Sequence, residues 1–530
     1  MISTIKHPLF KVLAVGTFFG LAWPPLPTSM FLLVAFVPLY FYTEAISRKE
    51  VLNQLIIYTF IVLVIRNFIG LYWIAIVSPG ACLGSVFLIS AVFTLVIAGY
   101  QWYRTLLKIK IVSYLLFISS WVAAEWFCEE ILKFPWMNLG FGLASQFYFV
   151  QWYEYTGIYG GTVWILTVNI LIYEGYQLYK SDLTLKSRSG IFSTLVTVLA
   201  IVLPASFSYY TYLSYRPSMN AIQVVVVQTN TSSTQKFKRE NSELQLGKLI
   251  SMSRKAAKEN TEYFIWPETA LESWHALNED SLAQNKSILT IQNFLRAYPN
   301  ANIITGALTY KRNLNTRADS SWYNTALQIE NSDHFQVYHK NILVPGTETA
   351  MFQGYNPGGA RVSLYLGGLA KTFSTSANDI FYAESGMGIA PAICFESVFG
   401  AYISHNLVLK GAQLIAIISN DAWWGNSSGT WQHMEYMRLL AIENRRSLAC
   451  ASNGGISSLI DQEGNIISNA RPGIETALSG ELLLREEPSF YALHPDYIPF
   501  ACTVLSIAGY LGATITYLIK GYRRQYSTSN

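Results

Sequence analysis

The chain has 530 residues, of which 51% are hydrophobic, 15% are aromatic and only 13% are charged, and its formal net charge at pH 7 is +4. Soluble domains have about 25% charged residues, so this composition excludes an ordinary soluble protein and indicates a membrane protein. The five cysteines show no paired spacing, which argues against a disulfide framework or a zinc site.

Seven apolar stretches long enough to cross about 30 Å of hydrocarbon precede a polar insert, and an eighth follows it. These predicted spans are 8–23, 28–46, 53–77, 82–103, 111–128, 159–178, 191–213 and 498–519. If the N-terminus is cytoplasmic, twelve basic residues flank the inner ends: Lys6, Arg48, Lys49, Arg104, Lys108, Lys110, Lys180, Lys186, Arg188, Lys520, Arg523 and Arg524. The short outer loops carry only Lys133. The positive-inside rule therefore predicts that both termini are cytoplasmic and that the insert faces outward.

Two of the ionisable residues inside the predicted spans lie at similar depth in the membrane. Arg66 lies in IVLVIRNFIG in the third span, and Glu125 lies in WVAAEWF in the fifth. Both spans run outward, and at about 1.5 Å per residue the two side chains reach similar depths in the outer half of the membrane. Because an isolated charge is costly there, we expect the two residues to pair or to share a polar cavity. In the alternative, Arg66 extends to the interface and Glu125 lies near the outer surface, unrelated to it.

Composition divides the chain into a membrane domain at 1–213, a water-soluble domain at 214–497, and the eighth span with a cytoplasmic tail at 498–530. The insert contains 22 Lys and Arg residues and 25 Asp and Glu residues. It carries no basic stripe, so nucleic-acid binding is not expected.

The insert is predicted to be an α/β domain. Helix-favouring stretches at 241–260 and 430–447 separate some of its apolar, often β-branched runs, which are typical of strands covered on both faces. These runs are AIQVVVVQTN (221–230), EYFIWPETAL (262–271), ANIITGAL (301–308), GIAPAICF (388–395) and QLIAIISND (413–421).

Three residues at predicted strand ends form a candidate catalytic set, because strand ends are where α/β layers present reactive groups. Glu268 ends FIWPE, Lys340 lies in FQVYHKNILVPGTE, and Cys394 ends APAIC. Singly, they are explained as a solvated Glu, a solvated Lys and a core Cys. Together, a carboxylate accepts the thiol proton, the thiolate attacks a carbonyl, and the ammonium stabilises the oxyanion.

A Cys–His arrangement is the rival interpretation of Cys394. The seven histidines include His339 and His433, but no sequence cue pairs either of them with the cysteine. No HExxH or similar metal-ligand spacing is present, so a hydrolytic metal is not expected.

The motifs around these residues resemble those of a known superfamily. FIWPETAL, KNILVPGTE and AICFE resemble the Glu, Lys and Cys motifs of the nitrilases, which are carbon–nitrogen hydrolases with an αββα sandwich fold. FPWMNLG (134–140), SNDAWWG (419–425) and ASNGGISSLID (451–461) are similar to segments of the apolipoprotein N-acyltransferases, in which eight membrane helices accompany a nitrilase-like domain. The resemblance covers essentially the whole chain.

The resemblance implies that Glu268 is the general base, Lys340 the oxyanion stabiliser and Cys394 the nucleophile. It implies supporting roles for Glu348, Phe395 and Glu396. The implied reaction is ping-pong acyl transfer from a phospholipid, through a cysteine thioester, to the α-amine of a diacylglyceryl-modified apolipoprotein. It needs no cofactor and no metal. The implied location is the bacterial inner membrane, with a periplasmic catalytic domain.

Substrate-binding positions are predicted less directly. The candidates are Phe237, Met351, Phe352, Trp423, Trp424, Arg66 and Glu125, the last two as part of a headgroup cavity. The glycine-rich loop 346–359 is a candidate lid. Three positions depart from the family pattern: Phe395 replaces a frequent Tyr, Phe237 a Trp, and Thr229 a Gly.

Two other functions stay open at this point. A membrane-anchored amidase of the same superfamily would act on a soluble amide, although one span would be enough to tether it. A non-enzymatic scaffold or transporter would carry an inactive nitrilase domain, against which the intact Glu, Lys and Cys set argues.

Overall fold

The computed structural model describes the chain except for residues 1–7, 46–48, 108, 183–187, 233–235, 237–240, 272–275, 313–319, 346–347, 349–373, 376–378 and 528–530. The chain divides into two compact units. The helical unit comprises Met1–Leu213 and Asp496–Asn530, and the sheet unit comprises Ser214–Pro495.

The helical unit contains ten α-helices among its described residues. They are α1 (Pro8–Leu21), α2 (Leu32–Ala35), α3 (Val37–Ala45), α4 (Lys49–Leu71), α5 (Ile74–Val77), α6 (Pro79–Leu107), α7 (Lys110–Glu130), α8 (Tyr153–Asp182), α9 (Arg188–Ser214) and α15 (Tyr497–Ser527). Short 3-10 segments occur at Ser29–Phe31 and Leu139–Phe149.

Six helices in the described part of the chain are long and apolar enough to cross a membrane, so the predicted count of eight is not confirmed. The first two predicted spans correspond to shorter apolar helices, Lys11–Leu21 and Ser29–Phe41. The first helix ends at Leu21 because Pro24 and Pro25 follow, and proline cannot continue a helix. The second span is divided by a turn at Phe36.

The sheet unit contains thirteen strands among its described residues. They are β1 (Ala221–Gln228), β2 (Thr261–Ile265), β3 (Leu277–Asn278), β4 (Asn302–Arg312), β5 (Ser320–Ile329), β6 (Phe335–His339), β7 (Phe381–Tyr382), β8 (Gly388–Ile393), β9 (Ala412–Ser419), β10 (Ser447–Ser452), β11 (Ser458–Ile460), β12 (Ile466–Asn469) and β13 (Thr476–Leu483). Its helices are α10 (Ser242–Ala256), α11 (Lys286–Leu295), α12 (Gly400–Asn406), α13 (Ser428–Asn444) and α14 (Phe490–Leu493). Its 3-10 segments are Glu279–Gln284, Cys394–Val398, Val408–Lys410 and Asp421–Trp423.

The strands form two sheets. The first has the order β13-β1-β2-β4-β5-β6, with β3 beside β4, and the second has the order β12-β11-β10-β9-β8-β7. Strands β1, β2 and β4 are mutually parallel, as are β8, β9 and β10. Each of the five strand runs predicted from the sequence is confirmed, and both predicted helical stretches form helices.

The two sheets pack face to face and helices cover their outer faces, which confirms the predicted αββα sandwich. Alternate residues of β1 face different cores. Val224 and Val226 belong to the core that the two sheets share, which also contains Ile389 of β8 and Leu440 of α13. Val225 belongs to a second core, which packs the first sheet against α10 and α11. The strand period of two explains this division.

Candidate active site

Cys394 lies directly after β8 and begins a 3-10 segment. Its φ angle is +53°, in the left-handed region that non-glycine residues seldom adopt. The side chain is nearly buried, with 8% exposure. Strained backbone of this kind persists only where the surrounding structure holds it in place, and it is concentrated at functional sites.

Glu268 follows β2, and a glycine of the neighbouring strand β4 allows the backbone at Glu268 to approach that strand closely. A Cβ atom at Gly306 of β4 would lie 2.3 Å from the Thr269 nitrogen and 2.6 Å from the Glu268 Cα. The Gly306 N–H donates to the Pro267 carbonyl at 3.1 Å, and the Glu268 N–H donates to the Ser419 carbonyl of β9 at 3.4 Å. These contacts place Glu268 between the two sheets.

Lys340 follows β6 and brings together two carboxylates. Its ammonium nitrogen lies 3.0 Å from Glu348 Oε1 and 3.4 Å from Glu268 Oε1, and its side chain is 1% exposed. Burial alone would lower the Lys340 pKa, but Glu348 and Glu268, followed by Cys394, together raise it. Lys340 is therefore a buried ammonium ion that is held by anions.

Asn324, in the middle of β5, holds the same two carboxylates. Its Nδ2 donates to Glu268 Oε1 at 2.7 Å and to Glu348 Oε1 at 3.0 Å. Glu348 Oε2 also accepts the Val344 N–H at 2.8 Å, which closes the turn after Lys340. No sequence signal points to Asn324, because it lies within a strand rather than at its end.

Glu396 is fully buried and links the cysteine segment to the lysine segment. Its carboxylate accepts the N–H groups of Ile393 at 2.8 Å, Asn341 at 2.6 Å and Ile342 at 3.2 Å. Burial raises the pKa of Glu396 to about 7, although these N–H groups and Lys340 oppose the shift. The geometry makes Glu396 a brace between two loops.

The Cys394 thiol interacts electrostatically with the rest of the set. Burial, followed by Glu268, raises its pKa well above the usual value, whereas Lys340 opposes this rise. A hydrogen bond involving the Ser419 side chain also favours the thiolate. The resting sulfur is therefore a thiol, and its activation requires a proton acceptor.

A second buried lysine lies beside this set and has no strand-end signal in the sequence. Lys236 Nζ donates to the Glu268 carbonyl oxygen at 2.5 Å, and its side chain is almost fully buried. Burial lowers its pKa to about 7, against the opposing attraction of Glu268 and Cys394.

Of the remaining predicted site residues, some are described by the structure and others are not. Phe395 is buried and its ring contacts Phe399 edge-on at 5.2 Å between centroids. Trp423 and Asn230 both line a cavity of about 370 Å³. The ring centroids of Trp424 and His433 lie 5.6 Å apart. Phe237, Met351, Phe352 and loop 346–359 other than Glu348 lie outside the described residues.

Arg66 and Glu125 are both fully buried in the helical unit. The Arg66 guanidinium donates to the Met137 carbonyl at 2.9 Å and lies 4.5 Å from the Trp23 ring centroid. Glu125 Oε1 accepts the Leu139 N–H at 2.7 Å, and an electrostatic interaction joins it to Arg66. Both charges therefore hold the segment that follows α7.

Cys450 is fully buried within β10, and an electrostatic interaction joins it to Cys394. Among the described residues, no group of three or more His, Cys, Asp or Glu side chains could hold a metal ion.

Comparisons with known proteins match both units. Residues 223–486 match the carbon-nitrogen hydrolase family, and residues 15–171 match the apolipoprotein N-acyltransferase N-terminal domain. An apolipoprotein N-acyltransferase of Chlorobaculum tepidum is 25% identical over 521 residues, which cover 96% of each chain. That of Rickettsia typhi is 29% identical over 363 residues, 67% of this chain and 66% of its own. That of Aquifex aeolicus is 26% identical over 339 residues, 63% of this chain and 68% of its own.

Proposed function

Because this chain belongs to the apolipoprotein N-acyltransferase family, we propose that it transfers an acyl chain from a phospholipid to the α-amine of a lipoprotein's N-terminal diacylglyceryl-cysteine. The observation that most supports this proposal is the buried Lys340 ammonium, which contacts Glu268 and interacts with Cys394. These three groups can supply a base, an oxyanion stabiliser and a nucleophile.

In the first half-reaction, Glu268 accepts the Cys394 proton and the thiolate attacks an ester carbonyl of the phospholipid. Lys340 and the N–H of Phe395 stabilise the oxyanion. The ester C–O bond then breaks, Glu268 returns the proton to the leaving oxygen, and a lysophospholipid departs. A thioester to Cys394 remains.

In the second half-reaction, the neutral α-amine of the diacylglyceryl-cysteine attacks the thioester carbonyl. Glu268 accepts the proton that the amine loses, and the same oxyanion donors act again. The C–S bond breaks, the proton returns to the Cys394 sulfur, and an N-acylated lipoprotein is released.

The membrane helices of this chain are consistent with a lipid substrate, because a membrane enzyme does not have to move the acyl chain into water. Moving an acyl chain of ~16 carbons into water costs about 0.8 kcal/mol per CH₂, or on the order of 12 kcal/mol in total. An enzyme whose reactive cysteine meets the lipid surface avoids most of that cost. The asymmetry of the basic residues in the sequence supports the proposed location, the bacterial inner membrane, with the sheet unit on the periplasmic side and both termini in the cytoplasm.

Substrate contacts complete the proposal. Trp423 and Trp424 are proposed to line the acyl pocket, to which Phe237, Met351 and Phe352, outside the described residues, are proposed to contribute apolar side chains. Arg66 and Glu125 are proposed to shape a cavity for the phospholipid headgroup. Glu348, Phe395 and Glu396 support the triad.

Thioester trapping tests the proposed function. Purified protein is incubated with an acyl-labelled phospholipid but without acceptor, and mass spectrometry locates the adduct. We expect an acyl group on Cys394, its absence in Cys394→Ser, and its discharge when a diacylglyceryl-cysteine peptide is added. Cys450→Ser is the matched control and should acylate as the wild type does.

Two results would contradict the proposal. An adduct on Cys450 would overturn the assignment of the nucleophile. Hydrolysis of a soluble amide without any phospholipid adduct would instead favour the amidase.

A further inference from the structure

A chain of buried polar side chains runs from Asp421 to the backbone of Cys394. Asp421 Oδ2 lies 3.3 Å from His433 Nδ1, and His433 Nε2 lies 2.8 Å from Ser397 Oγ. The Ser397 hydroxyl donates to the Cys394 carbonyl oxygen at 2.7 Å. All three side chains are at most 2% exposed.

The single hydroxyl hydrogen of Ser397 decides the direction of the hydrogen bonds in this chain. The single Ser397 hydrogen is directed to the Cys394 carbonyl, which can only accept, so His433 Nε2 must donate to the serine oxygen. Burial alone would raise the Asp421 pKa, but His433, Ser419 and Ser452 together lower it. The carboxylate is therefore ionised, and its contact with Nδ1 holds the imidazole in the orientation that directs Nε2 to Ser397.

This arrangement differs from a nucleophilic Ser–His–Asp triad. In such a triad the serine hydrogen points to the imidazole, which removes it. Here the hydroxyl points away from the imidazole to a carbonyl, and Ser397 is almost fully buried. Ser397 therefore has no free route to attack a substrate.

We propose that Asp421, His433 and Ser397 are positioning residues that orient the peptide group between Cys394 and Phe395, so that its N–H points to the developing oxyanion. In a trans peptide the C=O and N–H groups point in opposite directions, so anchoring the Cys394 carbonyl fixes the direction of the Phe395 N–H. The left-handed conformation of Cys394 needs such an anchor. This inference rests on the proposed function, because an oxyanion forms only in attack on a carbonyl.

The test separates oxyanion stabilisation from thiol reactivity. Full-length protein receives labelled phospholipid in a single-turnover experiment, and a second sample receives iodoacetamide, whose displacement of iodide by the Cys394 thiolate forms no oxyanion. Ser397→Ala should slow acylation by about 10- to 100-fold, because a misdirected donor loses much of its effect on the transition state. Alkylation should change by less than about threefold, because the thiolate itself is unaltered.

Ser404→Ala is the matched control. Ser404 is also fully buried, and its hydroxyl also contacts a backbone carbonyl, that of Gly400 at 2.9 Å, together with Asn444 at 2.8 Å. Both rates should be unchanged in this variant. Unchanged acylation in Ser397→Ala, or an equal fall in both of its rates, would overturn the inference.

Two His433 variants provide an independent measurement. His433→Gln keeps an N–H donor near the Nε2 position and should retain acylation within about fivefold, whereas His433→Leu should lose it as Ser397→Ala does. Equal acylation rates in the two variants would contradict the inference. The absence of any adduct in the wild-type protein would instead contradict the proposed function, and p-nitrophenyl acetate would then replace phospholipid in the same comparison.

Discussion

Glu348 Oε1 lies 3.0 Å from the Lys340 ammonium nitrogen, closer than Glu268 Oε1 at 3.4 Å. The nearer carboxylate therefore satisfies the lysine, which leaves Glu268 the better placed of the two to accept the Cys394 proton. Asn324 donates a hydrogen bond to each of these two carboxylates, which also share the Lys340 ammonium.

Glu348→Gln should slow acyl-enzyme formation by about 10- to 100-fold, because Lys340 then loses its nearest carboxylate, interacts more strongly with Glu268 and makes Glu268 a weaker base. Single-turnover acylation of Cys394 measures this effect. Glu330→Gln is the control, since Glu330 is another buried carboxylate, contacted by Gln328 and Gln336 at 3.0 Å each. An unchanged rate in Glu348→Gln would reduce Glu348 to an ordinary loop carboxylate.

Gly306→Ala should lower stability by about 1–3 kcal/mol, because the added Cβ meets backbone atoms of Glu268 and Thr269 that cannot move cheaply. Acylation should fall with it, since the Glu268 segment must shift. Thermal unfolding and single-turnover acylation measure the two effects. Gly247 on α10 has open space around it, so Gly247→Ala should leave acylation unchanged and should leave stability unchanged or slightly raised. If the two variants behaved alike, the close approach at Gly306 would not be supported.

Lys236 should make the stability of the protein depend on pH. Its pKa in the folded state is about 7, below the usual 10.5, chiefly because of burial. Between these values the unfolded chain binds more protons than the folded chain, so stability should rise as pH increases from 7 to 10. Lys236→Met removes this titration, and the wild type should gain on the order of a few kcal/mol relative to the variant over that range.

Melting temperatures measured from pH 7 to 10 test the Lys236 prediction. Lys410→Met replaces a partly exposed lysine and should give a curve parallel to that of the wild type. If Lys236→Met also ran parallel to the wild type, Lys236 would not titrate in this range.

Arg66 and Glu125 should be energetically coupled through the segment they both hold. Arg66→Ala removes the hydrogen bond to the Met137 carbonyl, and Glu125→Ala removes the hydrogen bond from the Leu139 N–H. These two backbone groups lie two residues apart in the same segment. A double-mutant cycle on unfolding should give a coupling energy of about 0.5–3 kcal/mol. Strictly additive losses would remove the coupling, and an unchanged apparent phospholipid affinity in Arg66→Ala would remove its proposed role at the headgroup.

The amino-acid sequence determined the elements of this protein and indicated its candidate catalytic residues. Apolar runs rich in β-branched residues marked the strands, because a strand covered on both faces needs apolar side chains at every position. Glu268, Lys340 and Cys394 were identifiable because each closely follows a strand, and strand ends are where α/β layers present reactive groups. Hydropathy located the membrane helices but overestimated the first two, since it does not register where proline or a turn ends a helix.

Only the tertiary structure decided which side chains surround these residues. Asn324 reaches Glu268 across 56 positions of sequence, and His433 reaches Ser397 across 36. Hydrogen bonds act over about 3 Å, and a shift of one residue in strand register turns a side chain to the opposite face. The partners of a buried polar group therefore depend on how sheets and loops pack together, which the local pattern of residues does not contain.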